Sequence, residues 1–252
     1  MKTTSDKKAL DQRVVLITGA GRGLGRALAV EFAAQGATVA ANDLTPINLD
    51  KTIELIQSAG GVVRPYLVDI SKDLPVHVLV EQIIADWGRI DILINNAGVQ
   101  PHSSILEMDG WDWQRTMDVN LSGPFFLTQS VGQSMRERGQ GIIINIAAAD
   151  TTALMANGRG AFFASKMGLV GLSRAAAAEL MAYNIRVNTI CPGEFKLIPP
   201  EIDPDAGGDK NSPFIETIIN LALFLCSPAA AALTGQVYTI ENTQIIHKDG
   251  EE

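Results

Sequence analysis

Short apolar runs alternate with longer stretches of helical periodicity along the chain. Residues 14–17 form a continuous apolar run that ends in a glycine-rich turn, a pattern typical of a strand buried on both faces. Further runs predict strands at residues 38–42, 62–68, 90–94, 142–146, 186–190 and 237–240. Helical spacing between them predicts helices at residues 26–35, 47–59, 75–87, 111–136, 160–183 and 214–226. We expect the helix at 111–136 to bend at Gly123-Pro124.

This alternation indicates a parallel sheet with helices on both faces. We therefore predict an α/β fold, with residues 1–252 forming a single doubly wound domain around a parallel seven-stranded sheet. The polar termini, residues 1–12 and 247–252, are expected to be flexible tails. Residues 199–212 are rich in proline, aspartate and glycine, which predicts an exposed loop.

Composition and charge exclude several classes of partner. The chain has 20 basic and 28 acidic residues and a formal net charge of −8, so nucleic acid is not an expected partner. Cys191 and Cys226 lack ligand spacing to each other or to a histidine, so neither a disulfide framework nor a metal site is expected. We see no signal peptide and no stretch long enough to span a bilayer. The chain is therefore predicted to be cytoplasmic, without a membrane partner.

A glycine-rich loop follows the first predicted strand and opens the first predicted helix. Its sequence from Thr18 to Gly25 is TGAGRGLG. Gly19 permits a tight turn, while Gly23 and Gly25 let the backbone approach a pyrophosphate at the helix N-terminus. A simple tight turn can have a similar sequence, but the strand–loop–helix context favours dinucleotide binding.

An acidic residue, Asp43, follows the second predicted strand. A carboxylate there can accept hydrogen bonds from both ribose hydroxyls of NAD and repels the 2′-phosphate of NADP. The alternative is a helix-capping aspartate ahead of Pro46. Arg22 could pair with a 2′-phosphate, but a guanidinium beside the pyrophosphate serves either cofactor. NAD is therefore the expected cofactor and NADP the less favoured one, and weak or lost binding stays open.

From residue 13 to residue 240 the chain resembles the short-chain dehydrogenase/reductase family. The resemblance is carried by the glycine loop, by Asn95-Asn96-Ala97-Gly98 and by Cys191-Pro192-Gly193. It implies a Rossmann-like fold, a nicotinamide cofactor and a small alcohol or carbonyl substrate. The cofactor-binding positions that it implies are Gly19, Arg22, Gly23, Leu24, Gly25, Asp43, Asp69, Ile70, Asn95, Ala97, Gly98, Lys166, Pro192 and Gly193.

The same resemblance implies four catalytic positions, of which only two are matched. Asn120 and Lys166 match the family's asparagine and lysine. Phe162 stands at the tyrosine position, four residues before the lysine, and the serine position falls on Ala149 or Ala148. The family's tyrosine hydroxyl moves the proton during hydride transfer. Because acid–base catalysis typically contributes roughly 10²–10⁴-fold, ordinary carbonyl reduction should be strongly impaired.

Two functions are consistent with this sequence. The favoured one is a catalytically impaired subunit, a pseudoenzyme that supports an active paralogue in a homo- or hetero-oligomer. The family pairs its long helices across dimer interfaces, so a dimer of dimers, a tetramer, is expected. The alternative is an active oxidoreductase that uses Lys166 with a substitute acid such as Asp150, although a solvated loop aspartate is the favoured interpretation of Asp150. Glu194 and His102 are weaker candidates, and residues 195–213 look too short and irregular for a well-formed substrate lid.

Overall fold

The computed structural model describes residues 8–149, 158–193, 213–241 and 244–247. They form an eight-stranded sheet in the order β3-β2-β1-β4-β5-β6-β7-β8. The strands are β1 (Val14–Thr18), β2 (Thr38–Asp43), β3 (Val62–Leu67), β4 (Ile92–Asn95), β5 (Gly141–Ile146), β6 (Ile185–Pro192), β7 (Val237–Glu241) and β8 (Gln244–His247). The helices are α1 (Gly23–Ala34), α2 (Pro46–Ser58), α3 (Asp73–Trp87), α4 (Gly110–Met117), α5 (Gly123–Arg138), α6 (Gly160–Leu180) and α7 (Pro213–Cys226).

Two apolar cores cover the two faces of the sheet. Alternate side chains of β1 point to opposite faces, so Val15 and Ile17 join one core while Val14 and Leu16 join the other. The first core includes residues of α1, α2 and α7, and the second includes residues of α3, α5 and α6. Helices therefore lie on both faces, as the sequence predicted, and the strands read as continuous apolar runs because both faces are buried.

The prediction of seven parallel strands was wrong at the C-terminal edge. The first seven strands are parallel, but β8 is an eighth strand that pairs antiparallel with β7, with Glu241 opposite Gln244. Only two residues separate these partners in the sequence, and a connection that short can join antiparallel but not parallel strands. His247, predicted to begin a flexible tail, instead ends this strand.

The predicted N-terminal tail was also too long. Leu10 is 3% exposed and belongs to the first core, and its N–H donates to the Gln35 carbonyl at 2.9 Å. Burial of one leucine and a backbone bond to the end of α1 hold this part of the chain on the domain. Residues 1–7 and 248–252 lie outside the described residues.

The long helix predicted at 111–136 is divided in two. A π-helical segment, Asp118–Ser122, joins α4 to α5. Pro124 lies in the first turn of α5, where its missing N–H needs no partner inside the helix. The irregular turn thus comes immediately before the predicted bend. Across the described residues, no helix is long and apolar enough to cross a bilayer.

Candidate nucleotide and active site

The predicted site residues gather at the carboxyl ends of the strands. β1 pairs with β2 on one side and with β4 on the other, so the chain reverses its direction of winding at β1. In open α/β sheets, ligands bind in the crevice at this reversal. The glycine loop follows β1 directly and therefore borders the crevice.

The glycine loop has the tight turn that was predicted at Gly19. Gly19 and Gly23 have φ values of +63° and +54°, in the region that favours glycine. A Cβ atom on Gly25 would lie 2.0 Å from the carbonyl oxygen of Gly19, so only glycine lets α1 pack this closely on the loop.

Two residues that the sequence analysis did not single out hold the loop in place. Asn96 donates from Nδ2 to the Thr18 carbonyl at 2.9 Å, and its N–H donates to Thr18 Oγ1 at 3.0 Å. Arg26 is buried and donates from Nε to the Gly21 carbonyl at 3.0 Å. Two sequence features could have indicated these roles. Arg26 is a charged residue on the otherwise apolar face of α1, and Asn96 directly follows the asparagine that ends β4.

The loop and Asp43 fit a dinucleotide. The N-cap residue of α1, Arg22, makes no side-chain cap, so the first-turn N–H groups can bind an anion. Asp43 accepts from the Gly21 N–H at 2.9 Å through Oδ2 and from the Thr45 N–H at 3.0 Å through Oδ1. Each oxygen keeps acceptor capacity for a ribose hydroxyl. The alternative capping position ahead of Pro46 belongs to Thr45, which is the N-cap residue of α2.

Three further predicted cofactor-binding residues, Asp69, Ile70 and Asn95, have contacts within the protein. Asp69 accepts from the Ser71 N–H at 2.9 Å. Ile70 is buried and packs on Gly123, where a Cβ atom would lie 2.9 Å from the Ile70 carbonyl oxygen. Asn95 is buried and donates to Asn145 Oδ1 at 2.7 Å, so its side chain bridges β4 and β5. Only one oxygen of Asp69 is used in its bond to Ser71, so its carboxylate keeps acceptor capacity.

Asn120 lies in the π-helical segment and is fully buried. Its Oδ1 accepts from the Val99 N–H at 2.8 Å, and its Nδ2 donates to the Val99 carbonyl at 2.9 Å. Nδ2 also lies 3.0 Å from Ser165 Oγ, one residue before Lys166. Asn120 therefore ties the loop after β4 to α6. Its proton-relay role stays a prediction.

Lys166 is buried beside Asn120. Its Nζ donates to the Ile146 carbonyl at 2.8 Å, and a Cβ atom on Gly98 would lie 3.5 Å from it. Burial lowers the pKa of Lys166 from its ordinary value of 10.5 to about 8, and Cys191 opposes this shift. The amine therefore exchanges its proton close to neutral pH.

Phe162, Ala148 and Ala149 form one apolar cluster with Phe163. The rings of Phe162 and Phe163 meet edge to face, with centroids 5.4 Å apart. The end of β5 and the start of α6 are thus in contact, with hydrocarbon on both sides. Lys166 Nζ lies 5.8 Å from the Phe162 ring centroid.

The end of β6 is hydrogen-bonded to this cluster through Ala149. The Ala149 N–H donates to the Pro192 carbonyl at 2.9 Å, and the Gly193 N–H donates to the Ile240 carbonyl at 2.8 Å. His102 is exposed on the loop after β4. Asp150, Glu194 and residues 195–212 lie outside the described residues. Within the described ranges, no group of three histidine, cysteine or acidic side chains could hold a metal ion.

Comparison with known proteins decides the family. The family model described as short chain dehydrogenase matches residues 13–198. The chain belongs to the short-chain dehydrogenase family.

Several relatives of this short-chain dehydrogenase family member have names that state an activity. The 3-oxoacyl-[acyl-carrier-protein] reductase FabG of Thermotoga maritima is 33% identical over 94% of this chain and 99% of its own length. D-threitol dehydrogenase of Mycolicibacterium smegmatis is 35% identical over 92% of both chains. A (2S)-[(R)-hydroxy(phenyl)methyl]succinyl-CoA dehydrogenase subunit, BbsD of Thauera aromatica, is 35% identical over 90% of this chain and 94% of its own length.

Solved structures agree on the fold. A short-chain type dehydrogenase/reductase from Mycobacterium marinum superposes with a TM-score of 0.83 at 29% identity, over 94% of this chain and 96% of its own. Xylitol dehydrogenase with bound NAD⁺ gives a TM-score of 0.81 at 26% identity, over 92% of this chain and 99% of its own. The short-chain dehydrogenase family binds nicotinamide cofactors, and its members here are named as oxidoreductases and reductases.

Proposed function

We propose that this chain is an NAD(H)-binding member of the short-chain dehydrogenase family with a degenerate active site. In this proposal it is a catalytically impaired subunit that supports an NAD-dependent alcohol or carbonyl oxidoreductase. Its active partner is a related chain that keeps the catalytic serine and tyrosine. The observation that carries the proposal is the packing of Phe162 with Ala148 and Ala149 beside Lys166.

This cluster leaves no hydroxyl where the family's reaction needs one. A methyl group and a phenyl ring neither donate nor accept a proton. Ala148 and Ala149 are buried and Phe162 is half-buried, so hydrocarbon occupies both positions. The chain alone should therefore turn over roughly 10²–10⁴-fold more slowly than a relative with both hydroxyls.

NAD(H) is the cofactor that the loop and Asp43 fit best. It supplies the hydride acceptor for an alcohol or, when reduced, the hydride donor for a carbonyl. The uncapped start of α1 can hold the pyrophosphate, and Asp43 can hold the ribose hydroxyls and repel a 2′-phosphate. Lys166 can donate a hydrogen bond to the ribose that carries the nicotinamide and still keep its bond to the Ile146 carbonyl, because an ammonium group has three donors.

Two observations support a partner-subunit role. The relative from Thauera aromatica is itself named as a subunit of a dehydrogenase. Trp113 on α4 and Phe125 on α5 are each 43% exposed, and these helices belong to the region that the family pairs between subunits. Exposed aromatic side chains of this size are typical of protein interfaces.

The lowered pKa of Lys166 favours a second candidate, an active oxidoreductase. An amine with a pKa of about 8 can exchange a proton at neutral pH. In this candidate, Lys166 acts with a substitute acid such as Asp150.

The test measures NADH binding and turnover on the same purified chain. We expect NADH to bind, measured by calorimetry, and wild-type turnover on a panel of ketones and alcohols to be very low. Phe162→Tyr combined with Ala149→Ser should raise turnover by about 100-fold or more, the range of acid–base catalysis. A parallel double variant with Ala148→Ser identifies which alanine occupies the serine position. Phe224→Tyr adds the same hydroxyl to an exposed ring on α7 and should leave turnover unchanged.

Other outcomes separate the candidates. Robust wild-type turnover that is lost in Asp150→Asn supports the active oxidoreductase. Robust turnover that survives Asp150→Asn contradicts both candidates. Native mass spectrometry after co-expression with a paralogue that keeps serine and tyrosine should show a mixed oligomer, and exclusively homomeric assemblies would contradict the partner-subunit role.

A further inference from the structure

A second cavity lies at the opposite end of the sheet from the nucleotide site. Its volume is about 260 Å³, and its lining includes Arg13 before β1, Ile142 in β5 and Arg186 in β6. The five residues of β1 separate Arg13 from the glycine loop, which is about 16 Å at 3.3 Å per residue. The two sites are therefore distinct.

Two arginines give this cavity its positive charge. Arg186 donates from Nη1 to the Leu233 carbonyl at 3.1 Å and from Nη2 to the Leu225 carbonyl at 2.6 Å. These bonds fix the guanidinium and leave other N–H donors, since arginine has five. Arg13 is half-buried, and within the part of the chain that the structure describes its guanidinium has no hydrogen-bond or ion-pair partner.

The acidic residue that lines the cavity does not neutralise these arginines. Asp91 accepts from Arg138 Nη2 at 2.8 Å, from Arg89 and from the Val14 N–H at 2.9 Å. Burial alone raises the pKa of Asp91, but these hydrogen bonds outweigh it and hold that pKa below its usual value. Asp91 is therefore already paired with two arginines of its own.

Arg13 and Arg186 act on each other as like charges. Burial lowers the pKa of Arg186, Cys226 opposes this shift, and the nearby Arg13 adds to it. Cys226 also lines the cavity, but burial raises the pKa of its thiol to about 12, so it supplies no negative charge. Two guanidinium groups at a partly buried cavity, in a chain whose net charge is −8, constitute a local positive site.

The remaining polar groups of the lining suit an oxyanion. Gln140 and Asn184 contribute two side-chain amides that can each donate a hydrogen bond, whereas the Ser227 hydroxyl already donates to the Phe224 carbonyl at 2.7 Å. A cavity needs roughly 10–15 Å³ to hold one water, so this one can hold a small anion and several waters. A planar guanidinium group can donate two parallel hydrogen bonds to two oxygens of one phosphate. Two guanidinium groups together balance the double negative charge of a phosphate.

We propose that this cavity binds a phosphate group, held by the guanidinium groups of Arg13 and Arg186. The inference rests on the described residues of this cavity alone and is independent of the proposed function. The bound group is either free phosphate or the phosphate end of a small phosphomonoester.

The test follows backbone amide signals by NMR while inorganic phosphate is titrated into the full chain. Gly141 and Ser227 report on this cavity, whereas Gly23 and Leu24 report on the glycine loop, which can also bind phosphate. We expect saturable shifts at Gly141 and Ser227. Arg13→Gln should weaken that binding about tenfold or more, because it removes one charged hydrogen-bond partner. A second titration with glycerol 3-phosphate distinguishes the sources, since tighter binding than inorganic phosphate indicates a phosphomonoester.

Matched variants control for charge and folding. Arg174→Gln removes the same charge from an exposed position of α6 and should leave the affinity unchanged. Arg13→Lys keeps the charge but loses the planar fork, and intermediate affinity is expected. Each variant's amide spectrum checks its fold. Equal affinity in wild type and Arg13→Gln, or shifts confined to Gly23 and Leu24, would overturn the proposal.

Discussion

The ammonium nitrogen of Lys166 lies 5.8 Å from the ring centroid of Phe162. This distance is at the outer limit of a cation–π contact, so the ring offers the charge little compensation. The nearest hydrogen-bond acceptor is the Ile146 carbonyl at 2.8 Å. Among the described residues, Lys166 is therefore a buried amine with one neutral acceptor, and its protonated form is disfavoured.

The first prediction concerns the pH dependence of stability. Burial lowers the pKa of Lys166 to about 8 in the folded chain, below its ordinary value of 10.5. Between these values the unfolded chain binds more protons, so Lys166 should make stability rise as pH increases from 8 to 10.5. Below pH 8 both states are protonated, and burying the charge costs up to about 3 kcal/mol.

Urea denaturation of wild type and Lys166→Met from pH 6 to pH 10.5 measures this effect. In Lys166→Met, stability should no longer rise between pH 8 and pH 10.5, and at pH 7 this variant should be more stable than wild type. Lys51→Met, at an exposed position of α2, is the control and should retain the wild-type profile. Parallel curves for wild type and Lys166→Met would mean that the buried lysine keeps an ordinary pKa.

The second prediction concerns cofactor choice. Asp43→Asn keeps the shape of the side chain but removes its charge next to the Gly21 N–H. NADH affinity should fall about 10-fold, because hydrogen bonds to a charged acceptor are worth roughly 1.5–3 kcal/mol. NADPH affinity should rise, because the repulsion of the 2′-phosphate is lost. Fluorescence titration with both cofactors measures the ratio. The control is Asp50→Asn, at an exposed position of α2, which should leave the ratio of NADH to NADPH affinity unchanged. An unchanged ratio in Asp43→Asn would mean that other residues determine the choice of cofactor.

The third prediction concerns the packing of α1 on the glycine loop. A Cβ atom on Gly25 would lie 2.0 Å from the Gly19 carbonyl oxygen and 2.6 Å from Asn96 Nδ2. Gly25→Ala should therefore destabilise the chain by about 1–3 kcal/mol and abolish NADH binding, because the backbone must move. Thermal unfolding and calorimetry measure both effects. Gly171→Ala is the matched control on α6, where a Cβ atom meets nothing within 4 Å. It should stabilise by about 0.5–1 kcal/mol, and similar behaviour of the two variants would show that the loop tolerates a side chain.

The glycine loop was the part of the site that local sequence could predict most fully. Its geometry depends on positive φ values at Gly19 and Gly23 and on close approach at Gly25, and these are properties of the residue type itself. Asn96 and Arg26 escaped prediction because their partners, Thr18 and Gly21, lie on another element or in a loop. A polar residue's partner cannot be inferred from its own sequence position.

The edges of the fold were harder to predict than its centre. Strands with both faces buried have an unambiguous apolar pattern, so β1, β4 and β5 were found within a few residues. β8 is a short edge strand after a close reversal, and its two isoleucines were too few to distinguish from a tail. Leu10 was assigned to a tail for the same reason, because one apolar residue among polar neighbours has no periodicity.

The sequence by itself determined the alternating α/β order, the glycine loop and the absence of hydroxyls at residues 148, 149 and 162, because each depends on residue type and spacing. Only the tertiary structure decided that the alanines and Phe162 pack together, that Lys166 is buried next to them, and that Arg13 and Arg186 share a cavity. Those relations join residues far apart in the chain. They follow from the register of neighbouring strands and from the packing of α6 on the sheet, which no local pattern specifies.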